Sequence, residues 1–291
     1  MTKHLDITKK HDAILLFDCT DGNPNGDPDA GNQPRLDPET QQGLVTDACI
    51  KRKVRNYIEL RSRGMDEEQR KAYKIFIEEG TVLNEAIQRG YQALNYELKT
   101  GTPEQQQEVA KWMQANFYDI RTFGAVLTTG LKAGQVWGPV QVSHARSFDR
   151  IVPQSLTITR QAITEGKEGK ENKTMGRKEI IPYGLYKAHV FYNPHLRGEH
   201  FTSEDLALFW EALRKGWEFD RSSARGFMAV RGLWIFSHEN QYGNCPTHEL
   251  FDRLRVKLNS EVAAPRRFSD YELEKPEDFE DLPDGVTLTK L

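Results

Sequence analysis

The sequence predicts an α+β fold whose elements run strand, helix, strand, strand, helix, strand. Three observations carry that prediction. An apolar run at 12–19, DAILLFDC, ends in a turn-rich loop, as a short buried strand does. A helical period of apolar residues begins just after Thr46. Two further apolar strands, IPYGLYKAHVFY at 181–192 and GFMAVRGLWIFS at 226–237, bracket a second amphipathic helix, SEDLALFWEALRKGWEF, opened by Ser203 with Glu204 and Asp205.

The remaining elements follow in chain order. An Asx, Gly and Pro loop leads from the first strand to about residue 43. In the helix after it, Thr46 is a natural N-cap and Asp47 suits the first turn. Ile50, Val54, Tyr57 and Ile58 recur at i, i+4, i+7 and i+8, so they share one face. Helical patterns continue over 66–98 and 103–116, with Asp66 or Thr81 as starts and Thr102-Pro103 as an N-cap and N1 pair. Their polarity marks an insertion. Residues 135–145, QVWGPVQVSHA, alternate as a strand. Within 147–180 a Gly, Lys and Glu stretch is too polar to pack and suits a hairpin tip or loop. The resulting βαββαβ order is the ferredoxin-like arrangement that RNA-recognition domains share, and it hosts many functions.

Charge and composition narrow the choice. No apolar run approaches the ~18 residues of a membrane span, and the N-terminal MTKHLDITKKHD has no apolar signal core. The three cysteines, Cys19, Cys49 and Cys245, are far apart and odd in number, which fits a reducing cytoplasm rather than a disulfide framework. The net charge of −3 conceals a split. Residues 270–291 hold eight acids against two lysines, leaving 1–269 at +3, and residues 144–187 carry nine cations against five acids.

Candidate binding residues fall in three groups. On the first long helix, KRKVR places Lys51 and Arg55 four residues apart on one face, with Arg52 further round. Like charges at that spacing favour an anionic partner or nearby acids, and a helix N-terminus adds free amides that suit phosphate. In SHARSFDR, Ser143, His144, Arg146 and Arg150 follow a strand, with Phe148 able to stack on a base. In the 150–178 insertion, Arg160, Arg177 and Lys178 join four lysines or arginines, and Met175 could wedge between bases.

The sequence has no Walker A, HExxH, GxSxG or paired CxxC motif, and no cofactor site is expected. DGNPNGDPDAGN at 21–32 opens like a calcium loop, with Asp21, Asn23, Asn25, Gly26, Asp27 and Asp29 at ligand spacing. It fails that pattern because position 12 is Asn32 and a strand precedes it, so no metal is expected.

Taken together, NPNGDPDAGNQPRLD (23–37), TDACIKRKVR (46–55), DIRTFG (119–124) and VQVSHA (140–145) resemble the backbone, crRNA-coating subunit of CRISPR type I Cascade in the RAMP superfamily. The NPNGD form of the loop is most similar to the type I-C member. The resemblance covers about 12–237. It implies a modified RNA-recognition palm formed by 1–64, 119–146 and 181–260, helical fingers at 65–118, a thumb at 147–180 and an acidic C-terminal tail at 261–291. It further implies a non-catalytic scaffold, several copies of which stack head-to-tail along a crRNA, display it to target DNA and kink it at intervals. Its partners would be the crRNA, target DNA through that crRNA, and copies of itself. Others would be the crRNA 5′-end-binding subunit and the large and small subunits, with no membrane contact.

Carried over by position, Thr46, Lys51, Arg52 and Arg55 would contact the crRNA backbone, with Ser143 and His144 lining the palm. Arg35 and the thumb cations are placed by location alone. Related type III subunits cleave RNA with an aspartate in the loop after the first strand. An endoribonuclease using a loop Asp or His144 is therefore the alternative, and a general single-strand RNA-binding module is a third reading.

Overall fold

The computed structural model describes residues 2–159, 175–274 and 282–291. Strand β1 (His11–Gly22) contains the apolar run and leads into a small turn built from β2 (Gly26–Asp27) and β3 (Gln33–Pro34), then β4 (Gln42–Val45). Helix α1 (Asp47–Ser62) begins as expected: Thr46 Oγ1 accepts from Cys49 N, and Ile50, Val54, Tyr57 and Ile58 are buried. Helix α2 (Glu67–Ala72) is capped by Asp66. Helix α3 (Leu83–Ala93) is not capped by Thr81, whose hydroxyl donates back to Glu78 O. Thr102 and Gln105 cap α4 (Pro103–Asn116) reciprocally. The fully buried α5 (Tyr118–Phe123) follows, then the hairpin of β5 (Gly124–Leu127) and β6 (Gly134–Trp137).

The strand expected over 135–145 is broken twice, into β6, β7 (Val140–Val142) and β8 (Ala145–Arg150). At the first break Gly138 packs so tightly that a Cβ there would lie 2.3 Å from Gly124 N, and Pro139 has no amide to donate. At the second, Ser143 bonds His189 twice: its N donates to His189 O and its Oγ accepts from His189 N, both at 2.9 Å.

Beyond it lie β9 (Gln154–Thr159) and β10 (Met175–Tyr192), which starts well before the apolar pattern at 181 because its outer part pairs with β9. Helix α6 (Ser203–Phe219) is capped by Thr202, one residue ahead of Ser203, since Thr202 and Asp205 satisfy one another's amides. After β11 (Phe227–His238) come α7 (Thr247–Phe251), β12 (Arg255–Leu258), β13 (Tyr271–Glu274) and β14 (Val286–Lys290). The stretch expected as an acidic tail thus contributes two strands. Their four and five residues are too short to give a periodic signal among so many acids.

The main sheet is antiparallel in the order β14-β11-β1-β10-β8-β4, with β7 also on β10. Its βαββαβ part is β1, α1, β7–β8, β10, α6 and β11, the ferredoxin-like order the sequence predicted. Helices α1 and α6 cover one face, burying Leu15, Phe17, Tyr186 and Val190 against Ile50, Val54, Phe209 and Trp217. On the other face Ile14, Leu16, Leu185 and Trp234 lie under Leu250, Phe251, Leu254 and Tyr271 of the C-terminal elements. That roof also reaches β8 and β10: Tyr271 Oη donates to Asp149 Oδ2 at 2.6 Å, and Phe251 packs on the His189 ring.

The helical insertion has its own apolar cluster of Ile87, Tyr91, Val109, Met113 and Leu127, and α5 joins the two cores. Tyr118 and Phe123 belong to the sheet's core and Ile120 to the insertion's. Between them Asp119 accepts from Phe76 N at 2.8 Å, Ile77 N at 3.1 Å and Arg55 Nε at 2.8 Å. Arg121 meets Asp205 through two bonds, Nε to Oδ2 at 3.0 Å and Nη2 to Oδ1 at 2.8 Å, and gives a third to Ala72 O at 2.6 Å. Its guanidinium lies 5.0 Å from the Tyr73 ring centre and 5.2 Å from that of Tyr118. Removing one member of such a buried pair leaves an uncompensated charge. Arg121→Ala is therefore expected to lower unfolding free energy by about 3–5 kcal/mol, read as a fall in the urea midpoint.

Candidate nucleic-acid interface

The Asx-rich loop between β1 and α1 is a structural device before it is a surface. Gly31 and Asn32 are in the left-handed region, at φ 61° and 63°, and close the β2–β3 turn. Asp27 accepts from Asp29 N at 3.2 Å and pairs with Arg35 at 3.3 Å. Asn25 Oδ1 accepts from both Thr46 N and Thr46 Oγ1 at 2.9 Å, tying the loop to the start of α1. The residues that mimic calcium ligands are turn and cap formers. Among the described residues, no group of three His, Cys, Asp or Glu is placed to hold a metal ion.

The N-terminus of α1 is closed to phosphate, contrary to the free amides expected there. Asp47 N donates to His144 Nδ1 at 3.0 Å and Cys49 N to Thr46 Oγ1 at 3.2 Å. In the bond from Asp47 N the Nδ1 of His144 is the acceptor, and the ring is mostly exposed. The three candidate cations of α1 are engaged within the chain. Lys51 pairs with Asp47 at 2.9 Å, Arg55 with the buried Asp119, and Arg52 donates to Ile77 O at 2.7 Å. Lys51 and Arg55 do share one face, each 5.5 Å from the Phe123 ring centre. Ser143 spends its hydroxyl proton on His144 O at 3.0 Å rather than holding it for a ligand.

A more open basic surface lies along β8 and β10. Arg146, half exposed, pairs with Asp37 at 2.7 Å, and that bond with the Thr40 and Glu39 amides holds the Asp37 carboxyl down at about 2. Arg150 Nε reaches Gln41 Oε1 at 3.1 Å. A groove of about 390 Å³ is lined by Gln42, His144, Arg146, Phe148, Lys187 and His189. Lys187 Nζ stands 5.7 Å over the Phe148 ring and has no carboxylate within ion-pair distance among the described residues. Burial lowers its pKa. Burial, with Lys187 beside it, brings His189 down to about 4, so that ring is neutral at pH 7. It stacks on Phe251 at 4.4 Å.

Lys187 and His189 are additions to the predicted set. The signal for them was two polar residues at i, i+2 within the apolar strand GLYKAHVFY, which places both on one face.

A second cleft, of about 430 Å³, lies between the Asx-rich loop and the root of the β9–β10 hairpin, where Arg177 and Lys178 stand. Met175 is 71% exposed on that hairpin. Arg160 lies outside the described residues.

A family model described as "CRISPR-associated protein Cas7" matches residues 9–275, nearly the whole chain. The chain belongs to the Cas7 family. A CRISPR-associated protein Cas7 of Haloferax volcanii is 40% identical over 57 residues, which is 20% of this chain and 16% of that protein. The match thus spans about a sixth of the curated relative's length. Among solved structures, a chain of a "CRISPR RNA-guided surveillance complex, pre-nicking" is similar at 17% identity and TM-score 0.50, covering 78% of this chain and 75% of that one. A chain of a "CRISPR RNA-guided surveillance complex" has 15% identity and TM-score 0.46, covering 78% and 68%. The first likeness bears on fold, and agrees with the mixed antiparallel architecture. The Cas7 match takes in every strand of the main sheet except β14.

Asn25 and Thr46 share the bond from Thr46 Oγ1 to Asn25 Oδ1. Asn25→Ala and Thr46→Ala should each cost about 1 kcal/mol of stability, and the double variant less than the sum, in urea titrations.

Proposed function

We propose that the chain is a non-catalytic crRNA-binding backbone subunit of a CRISPR surveillance complex, of type I-C, several copies of which stack head-to-tail on one RNA. The observation that carries this reading is the cation-lined groove along β8 and β10, in a chain of the Cas7 family. Arg146, Arg150, Lys187 and His144 would meet phosphate and sugar, with Arg177 and Lys178 extending the track to the β9–β10 hairpin. Lys51, Arg52 and Arg55 would act chiefly by positioning, since each already holds a partner within the chain. Arg35 and Thr46 would shape the neighbouring loop, and Ser143 the strand break beside His144. Arg160 and Met175 would extend the contact along the hairpin.

A scaffold that accepts any guide gains by holding backbone rather than base edges, leaving those edges to pair with target DNA. Heterologous contacts that do not close produce a filament, whose length the RNA sets. The other subunits would meet the two ends and one side of that filament. The loop acids are better suited to this role than to cleavage: Asp27 and Asp37 are committed to arginines and to turn amides.

Purification from cells carrying a CRISPR array should yield bound small RNA of uniform length, and complementary RNA added with Mg²⁺ should remain intact. RNA of random length, or regularly spaced cuts, would defeat the proposal. Arg146→Ala and Lys187→Ala should each weaken binding on any sequence and reduce the slope of log K against log salt by about 0.7, measured by fluorescence anisotropy.

A further inference from the structure

We infer that Phe227, with the Arg221 guanidinium over part of its ring, is a stacking platform for an unpaired RNA base beside the hairpin-root cleft. This rests on the RNA-binding reading above and adds to it a contact with bases that does not read their sequence.

Phe227 opens β11 and lies directly across from Thr20 of β1. The next residue, Met228, is buried in the core, whereas Phe227 stays 51% exposed. The fold gains little from this ring, and a partner that covered its apolar surface would gain from doing so. The Arg221 guanidinium carbon stands 5.0 Å from the ring centre. Half of Phe227 is open with that contact in place, so the open part of the ring is not the part that Arg221 covers. Arg221 is itself pinned: Nη1 donates to Met228 O at 2.9 Å and Nη2 pairs with Glu218. Ring and guanidinium are therefore ordered before a ligand arrives, which spares much of the entropy cost of binding.

The platform is fixed beside the cleft. Asn23 N, in the Asx-rich loop, donates to Ala224 O at 2.8 Å. Gly226, at φ 59°, lies so close to β1 that a Cβ there would come 2.3 Å from Thr20 O. Lys178 Nζ bonds the Ser223 hydroxyl and ties the same 220–226 loop to the hairpin root. Ala224 lines the cleft with Arg177 and Lys178. Three residues of chain keep the Phe227 backbone within about 10 Å of Ala224. A strand whose phosphate meets Arg177 or Lys178 thus brings a neighbouring base within reach of the ring.

The surroundings favour a base over a protein surface. Ser222, Ser223 and Ala224 are exposed and small, and Phe219, the other exposed ring flanking this loop, leans on Tyr57 of α1 at 5.8 Å. Phe227 therefore lacks the contiguous apolar patch that marks a protein interface. Arg221 is paired with Glu218 and Arg225 with Asp220, so the loop offers a flat face more than net charge. Every base has a π face, so stacking here suits a subunit that accepts any guide.

The test irradiates the full chain bound to a single-stranded RNA carrying 5-iodouridine, which crosslinks to an aromatic side chain stacked on it. The crosslink should fall in the tryptic peptide 226–231, whose sole aromatic residue is Phe227. In fluorescence anisotropy, Phe227→Ala and Phe227→Leu should each weaken binding about tenfold and leave the salt slope unchanged. Phe227→Trp should bind at least as tightly as the unmodified chain. Leucine keeps apolar bulk, so its loss of binding belongs to the ring's π face, and the unchanged slope separates this effect from a lost phosphate contact.

Full binding by Phe227→Leu, or no crosslink within 226–231, overturns the inference while the RNA-binding reading stands. So does self-association of the RNA-free chain, seen in sedimentation velocity, that Phe227→Ala abolishes, because the ring then belongs to a contact with a second copy. If the unmodified chain binds no RNA, the reading of function fails as well. The crosslink is read on the unmodified chain, so a variant that does not fold leaves the test in place.

Discussion

The buried pair of Arg121 and Asp205 governs how the two apolar cores sit against one another. Asp205 at once completes the capping box of α6, accepting from Thr202 N, and receives two guanidinium bonds. Arg121 extends the constraint to the insertion through Ala72 O. Helix α6 therefore cannot shift on the sheet without pulling on the segment that leads into the fingers-like helices. Asp119, one residue apart from Ile120 on the same short helix, repeats the device with Arg55 and the amides of Phe76 and Ile77. Desolvating these four charges is costly, and their mutual bonds offset that cost only in one geometry, so the network specifies position more than it adds stability.

Much of the fold was legible in the chain because its large elements obey one period each. Strand β1, helices α1, α4 and α6, and strand β11 all fall where apolar spacing and capping residues put them. The failures have local causes. Gly138 and Ser143 each divert a strand through contacts made by residues far away in sequence, Gly124 and His189, and no window around 135–145 contains that information. The C-terminal strands were hidden because pairing, of β13 with β12 and of β14 with β11, makes them strands rather than their own periodicity.

Among the candidate site residues, the same distinction holds. KRKVR was legible as a shared cationic face, but its acids, Asp47 and Asp119, come one from the preceding turn and one from across the fold. Sequence shows which groups carry charge; only the fold shows which charges are already spent. Lys187 stands out because no carboxylate reaches it among the described residues, and His189 because burial keeps it neutral beside that cation. A neutral ring offers one donor and one acceptor, so it can meet a sugar without adding repulsion to Lys187.

The outermost strands of the main sheet, β4 and β14, are only four and five residues long. An exposed sheet border invites another chain to continue the ladder, and the danger rises when many copies are held close together. Short borders offer few free backbone groups for such pairing. A subunit proposed to gather in multiple copies on one RNA thereby keeps its association to the intended side-chain surfaces and avoids fusing sheets.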